Sequence, residues 1–336
     1  MRGERLTRRG ALRLGGGTVL AGTIAGLAGC SGLLGGGDGG GDAEFTQWLP
    51  APGGLASSGP DGKAVEHYHA GFIDVPAFED SDDLKLTGIE GGLSGYVSRA
   101  ASDAGLAFED VETMITVGDL SLNIFTGSFD AGAVTDELHG NGYTEESEHG
   151  AFTIHSAEGE DSDRGSAAGV SDDAVILSRR EPIDAALGWI EAVIDARNGD
   201  IDRYEGAIDD FDLLVDEVGT GVDSSAETHP ETDEGTTGNI PRTYWNSRFE
   251  GQVAQGRTTR PDGDALRETW AKVFTEADAV PSEDLASWVE ETEDGAPVGR
   301  FEEFSTEESG RVWTLSGSID PEFGPPSETP TSTDPD

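Results

Sequence analysis

The chain has 336 residues, with 67 Asp plus Glu against 21 Lys plus Arg, and a formal net charge of −46. Such a field repels nucleic acid and anionic lipid headgroups, because both are bound through cationic side chains that displace counterions. Apolar residues make up only 35% of the chain, yet the acids are spread along it and apolar positions recur among them at helical and strand spacing. A folded domain is therefore expected, and not an acidic disordered tail.

The N-terminus carries Arg2, Arg5, Arg8, Arg9 and Arg13 against the single acid Glu4. An uncharged, glycine-rich stretch over 14–29 follows, shorter than the roughly 20 apolar residues that span a bilayer. It reads as the apolar region of an export signal. Within the basic segment, Thr7-Arg8-Arg9-Gly10-Ala11-Leu12-Arg13 resembles a twin-arginine signal, without the usual aromatic residue at Ala11. Leu27-Ala28-Gly29-Cys30 then resembles a lipobox, and Cys30 is the only cysteine in the chain. Lipidation at Cys30 is expected, an uncleaved helical anchor being the alternative. Either would tether the chain to the outer face of the cell membrane, with the twin-arginine translocase as a partner during export. With no second cysteine, the mature chain has no internal disulfide and rests on its core for stability.

Six segments are expected. Residues 1–29 form the signal and 30–44 a lipidated, Gly-rich spacer. Residues 45–219 form a first α+β unit, 220–242 a polar linker or surface loop, 243–318 a second, smaller α+β unit, and 319–336 a Pro-rich tail. Strands are expected over 67–75, 111–117, 122–129, 150–155, 174–178, 249–253 and 311–316, where β-branched or alternating apolar residues collect. Helices are expected over 131–138, 265–274 and 283–290. Another is expected from Ile183 to Asn198, where Ile183, Leu187, Ile190 and Ile194 form one stripe between Pro182 and the Asn198-Gly199 stop. Tyr204, Ile208, Phe211, Val215 and Val218 extend a similar stripe, with Asp202 and Glu205 as its capping box. The order of these elements predicts an α+β fold with a mostly antiparallel sheet and helices packed on one face, divided into two ferredoxin-like halves.

Candidate chemistry is sparse. His67 and His69, two apart on an expected strand, would point to one face and share a metal, against a plainer reading as exposed strand histidines. Asn198, Asp200, Asp202 and Asp209 stand at positions 1, 3, 5 and 12 of an EF-hand-like loop, but Arg203 occupies the position where glycine makes the turn. Capping of the flanking helices explains Asn198 and Asp202 without calcium. No Gly-x-Ser-x-Gly elbow, Ser-x-x-Lys or phosphate loop occurs in the chain. No cofactor and no catalytic residue is assigned. The sequence thus reads as a binding or structural module whose ligand, or partner at the cell surface, it leaves unassigned. A solute-binding lipoprotein and a secreted hydrolase are the alternatives.

Only Lys63, Lys85 and Lys272 are lysines, the remaining basic residues being arginines. Together with the twin-arginine signal and the Cys30 lipobox, this Lys-poor acidic composition resembles haloarchaeal lipoproteins exported by the twin-arginine route. The resemblance implies an extracellular, lipid-anchored location and lipidation at Cys30. It implies nothing about a ligand.

Overall fold

A computed structural model describes residues 45–55, 64–80, 101–118, 122–159, 165–232, 247–263, 265–292 and 298–319. Arg8, Arg9, Cys30, the Gly-rich spacer and the tail after Ile319 lie outside the described residues.

The fold is α+β, built on one twelve-stranded sheet. The first half of the chain contributes β1 His69–Asp74, β2 Val111–Val117, β3 Leu122–Gly127, β4 Thr144–His149, β5 Phe152–Glu158, β6 Gly165–Val170 and β7 Ala174–Glu181. The second half contributes β8 Asp223–Thr228, β9 Gln252–Asp262, β10 Ala265–Phe274, β11 Phe301–Ser309 and β12 Val312–Ile319. Their spatial order is β11-β12-β10-β9-β8-β1-β2-β3-β7-β6-β5-β4, and every pairing is antiparallel. The described helices are α1 Val75–Asp80, α2 Ala131–Gly140, α3 Ile183–Asn198, α4 Asp209–Val218 and α5 Ser282–Thr292.

The two halves follow one plan. In each, a helix leaves the third strand (β3 or β10) for a sheet edge, and the chain then returns so that its last strand (β7 or β12) pairs with that third strand. They meet where β1 pairs with β8. These are not ferredoxin-like halves, because in such a split βαβ unit the strands joined by a helix lie on either side of a third strand, whereas β1 pairs directly with β2.

Helices cover both faces of the sheet, not one. Residues paired across an antiparallel ladder share a face, so Ala70, Ile115, Ile124, Ile176, Ala226 and Ala271 lie together, and α3 and α4 bury Ile190, Val193, Phe211 and Leu214 against them. On the opposite face α2 packs Val134 and Leu138 against Met114, Phe125, Val175 and Leu177. At the other end of that face, α5 closes a cluster of Trp270, Trp288, Trp313 and Phe301. Its rings stand 5.1 to 6.2 Å apart, mostly edge to face, a geometry that adds about 0.5–1.5 kcal/mol per pair to simple burial.

Local sequence explains the helix ends. The Asp130 carboxylate accepts from Ala133 N at the start of α2, and α3 stops at Gly199, whose φ of +79° suits glycine. Helix α4 begins later than the apolar stripe implies. Asp202 and Glu205 form no capping box, because the helix begins only at Asp209; the Asp202 carbonyl accepts from Ala51 N at 2.9 Å and the Glu205 carboxylate accepts from Thr46 Oγ1. These bonds fasten the segment 45–55 to the domain, and Trp48 is buried beneath the Arg197 guanidinium, 4.4 Å from its ring centre.

Two element assignments are corrected as well. Residues 265–274 form strand β10 and not a helix, and 223–228, inside the expected polar linker, form β8 at the middle of the sheet. That strand and its neighbours make 45–219 and 243–318 parts of one continuous sheet. Both outer strands are acidic. In β4, Glu145, Glu146 and Glu148 are exposed, and in β11 so are Glu302, Glu303, Glu307 and Glu308.

Gly317 on β12 is closed in by β11, so that a methyl group there would overlap the Glu303 carbonyl oxygen, whereas Gly188 on α3 has open space around it. Gly317→Ala is expected to cost about 1–3 kcal/mol and Gly188→Ala to add up to about 1 kcal/mol. Urea unfolding of both variants in molar potassium chloride checks the opposite signs.

Candidate functional site

The sheet face that carries α2 and α5 is apolar at both ends and polar between them. Glu227 on β8, Gln255 on β9 and Lys272 on β10 are register partners in turn, as are Ser225, Arg257 and Trp270. Lys272, Gln255 and Gln252 are buried. A charged residue withdrawn from water is costly unless its hydrogen bonds are met, and the bonds here form a consistent chain. Lys272 Nζ donates to Ser247 O at 2.7 Å and to Gln255 Oε1 at 3.0 Å. Gln255 Nε2 donates to Glu227 Oε1 at 2.5 Å, and Arg248 reaches the same oxygen at 3.4 Å. Gln252 Nε2 faces both Gln255 Oε1 at 3.0 Å and His229 Nε2 at 3.2 Å, while Gln252 Oε1 accepts from Phe249 N.

The same bonds fix the histidine tautomer. His229 Nδ1 donates to Pro230 O at 2.9 Å, which leaves Nε2 as the acceptor for Gln252. The ring is neutral, and burial pushes its pKa down to about 4. Burial likewise lowers Lys272 to about 7, with the Glu227 carboxylate opposing that shift and the Arg248 charge reinforcing it. The Phe249 and Trp288 rings lie 5.4 and 5.7 Å from the ammonium. Beside this network, Arg257 bonds Asp223 at 2.8 Å and Glu268 at 3.4 Å. Asp223, first among the causes, keeps the guanidinium charged despite burial.

This arrangement can hold a lysine near half-protonation at neutral pH. A lysine of that kind is a base and an amine nucleophile in enzymes, but here the ammonium is bonded to the protein's own backbone and amide groups and sealed by two aromatic rings. An opening lies elsewhere. A shallow groove of about 450 Å³ runs between residues 51–54, α3 and the turn after it, with Glu191, Asp195 and Asp202 on its walls. His149 Nε2 meets Asp195 Oδ1 at 2.7 Å beside it.

The residues singled out in the sequence do not converge. His67 precedes β1, so the alternation rule does not bring it to the face of His69. Its Nδ1 pairs with Thr228 Oγ1 at 3.1 Å, and His69 stands opposite Glu227. Asn198 ends α3, the Asp200 amide donates to Asp195 O, and Asp209 opens α4. The cation of this turn is Arg203 itself, which donates to the last carbonyls of α3, Ala196 O at 2.8 Å and Arg197 O at 3.0 Å. No three His, Cys, Asp or Glu side chains are grouped to hold a metal among the described residues. The Lys272 network was not singled out beforehand. Its one sequence signal is a lysine between Trp270 and Phe274, alternating with small and β-branched residues.

No protein family model matches the sequence, and no curated protein does. Solved structures similar to the chain include three crystal forms of TP0453. Form I is 10% identical, with 81% of this chain and 94% of that one covered and a TM-score of 0.46. Form III is 14% identical with the same coverage and a TM-score of 0.44. Form IV is 11% identical, with 83% and 96% covered and a TM-score of 0.42. Among the described residues no helix is long and apolar enough to cross a membrane.

The lowered pKa values set a pH dependence. A folded His229 near 4 against an unfolded value near 6.5 contributes stability that is present above about 6.5 and lost as pH falls toward 4. Lys272 near 7 against about 10.5 unfolded means that the unfolded chain binds the extra proton between those values, so stability rises with pH across that window. The unfolding free energy of the wild type, read from urea titrations, should climb from pH 7 to 9.5 by up to about 1.4 kcal/mol per pH unit from this group. In Lys272→Met that climb should be missing.

Proposed function

We propose that the protein is a membrane-anchored extracellular lipoprotein of a salt-loving organism, whose α+β unit is a binding or structural module and not an enzyme. The observation that carries this reading is the placement of Cys30. The one thiol of the chain stands after a basic segment and an uncharged stretch, directly behind Leu27-Ala28-Gly29. A diacylglyceryl group on that cysteine supplies two acyl chains, at about 0.8 kcal/mol per buried methylene, and two chains hold a protein at a bilayer where one does not. The Arg8-Arg9 pair fits export of an already folded chain, which suits a domain whose buried Lys272 and Arg257 need their partners in place.

The non-enzymatic part rests on how the polar groups are used. Lys272, Gln255, Gln252 and His229 satisfy one another, and of the acids lining the 51–54 groove Asp195 is paired with His149 and Asp202 is exposed. A solute-binding lipoprotein would have two α/β lobes around a hinged cleft, and the fully antiparallel pairing of the described strands weighs against that alternative.

Phase partition of the full chain, expressed in an export-competent host grown at molar salt, tests the anchor. The wild type is expected in the detergent phase with a lipid mass on Cys30, and Cys30→Ser in the aqueous phase or the medium. Replacing both Arg8 and Arg9 by lysine should hold the precursor inside the cell. Detergent partition of Cys30→Ser equal to that of the wild type would overturn the reading.

A further inference from the structure

One buried side chain takes no part in the networks described above. His155, on β5, is fully buried, and neither of its ring nitrogens has a hydrogen-bond partner. His229, by contrast, is buried with both nitrogens bonded. Buried polar atoms are almost always paired, and one that is not calls for an explanation such as an ion. Facing His155 from the last turn of α2 is the exposed His139. The two ring centres are 5.5 Å apart and their planes stand at 73°. Glu145 on the edge strand β4 is the register partner of His155 and adds a carboxylate on the same face.

We propose that His139 and His155 together bind a divalent transition-metal ion of the zinc type, which enters from the solvent side of His139. An imidazole nitrogen about 2.0–2.1 Å from zinc keeps its ring centre about 3.2 Å from the ion, so two rings on one ion stand up to about 6.4 Å apart. The observed separation of 5.5 Å falls within that limit. Because no third His, Cys, Asp or Glu joins them as a ligand group among the described residues, the remaining tetrahedral positions stay open to water or to a donor from another molecule. Imidazole donors favour zinc, copper and nickel over calcium and magnesium. That preference separates this site from the diffuse attraction of the chain's 67 acids for hard cations.

The test uses the full, untagged chain, stripped with a chelator and held in molar potassium chloride with excess magnesium. Zinc chloride is titrated against a zinc-responsive dye, and the imidazole nitrogens are followed by long-range proton–nitrogen correlation spectra. One magnesium-resistant zinc ion per chain is expected, with the ring signals of His139 and His155 moving together. His139→Ala, a change at an exposed position, should weaken zinc binding about tenfold or more, and His149→Ala should leave it as in the wild type. Zinc affinity unchanged in His139→Ala, His155 ring signals that do not move on saturation, or no zinc retained against magnesium would each overturn the proposal.

Discussion

The pairing of β1 with β8 is the contact on which the rest of the structure depends. Ala70 faces Ala226 and Gly71 faces Ser225 across it, so two adjacent pairs of this seam are small residues. Gly71 has no room for anything larger, since a methyl group there would stand 2.6 Å from Thr116 Oγ1. Apart from this seam each half would expose a long strand edge with unpaired backbone groups, which invites pairing with other chains. With it, one sheet carries both sets of helices. The seam is also braced from outside. The Tyr68 hydroxyl donates to Pro50 O at 2.7 Å, and the Tyr204 ring stacks between Tyr68 and Phe211 while its hydroxyl meets Thr228. The segment 45–55 and helix α4 are thereby tied to the line where the halves join.

Next to this seam the sheet takes on its polar character. An ordinary core would place apolar residues at Gln255, Arg257, Glu268 and Lys272, because apolar replacements of buried ion pairs are often as stable. The arrangement instead fixes position through bond geometry, since an amide relay such as Gln252–Gln255–Glu227 is satisfied in one register only. A β-strand slip of one residue would turn every member of it to the opposite face. Molar salt, which shortens the range of charge interactions in solution to about 3 Å, acts far less on pairs already withdrawn from water.

Much of the helical part was legible in the sequence, and the strands were legible only where they were apolar. Helix α3 carries its stripe and its stop in the sequence, and the helix expected over 131–138 forms as α2. Strand β10 was misread for a physical reason. Leu266, Trp270 and Phe274 recur every four residues, a spacing that fits a helical stripe and also an even strand period. What distinguishes the two is Glu268 and Lys272, which fall on the same buried face as the aromatics, a placement that polarity argues against. Strand β8, Asp-Ser-Ser-Ala-Glu-Thr, has Ala226 as its one apolar residue and so carries no hydrophobic alternation to read. The edge strand β4 buries almost nothing and left no pattern to read. The Lys272 network was invisible for the same reason: its members come from β8, β9, β10 and the residues just before β9, and nothing in their linear spacing announces that pairing brings them together.

The two outermost strands have a consequence for how neighbouring copies of this molecule would behave. Each offers a free row of backbone donors and acceptors, and each surrounds that row with glutamates, Glu145, Glu146 and Glu148 at one end and Glu302, Glu303, Glu307 and Glu308 at the other. Two such rims brought side by side would have to shed the tightly held water of at least six carboxylates before a single ladder bond formed. Hydration of this kind survives where salt has removed long-range repulsion. At high concentration the sheet therefore ends with its own edge strands, and copies can crowd against one another without fusing into a fibril.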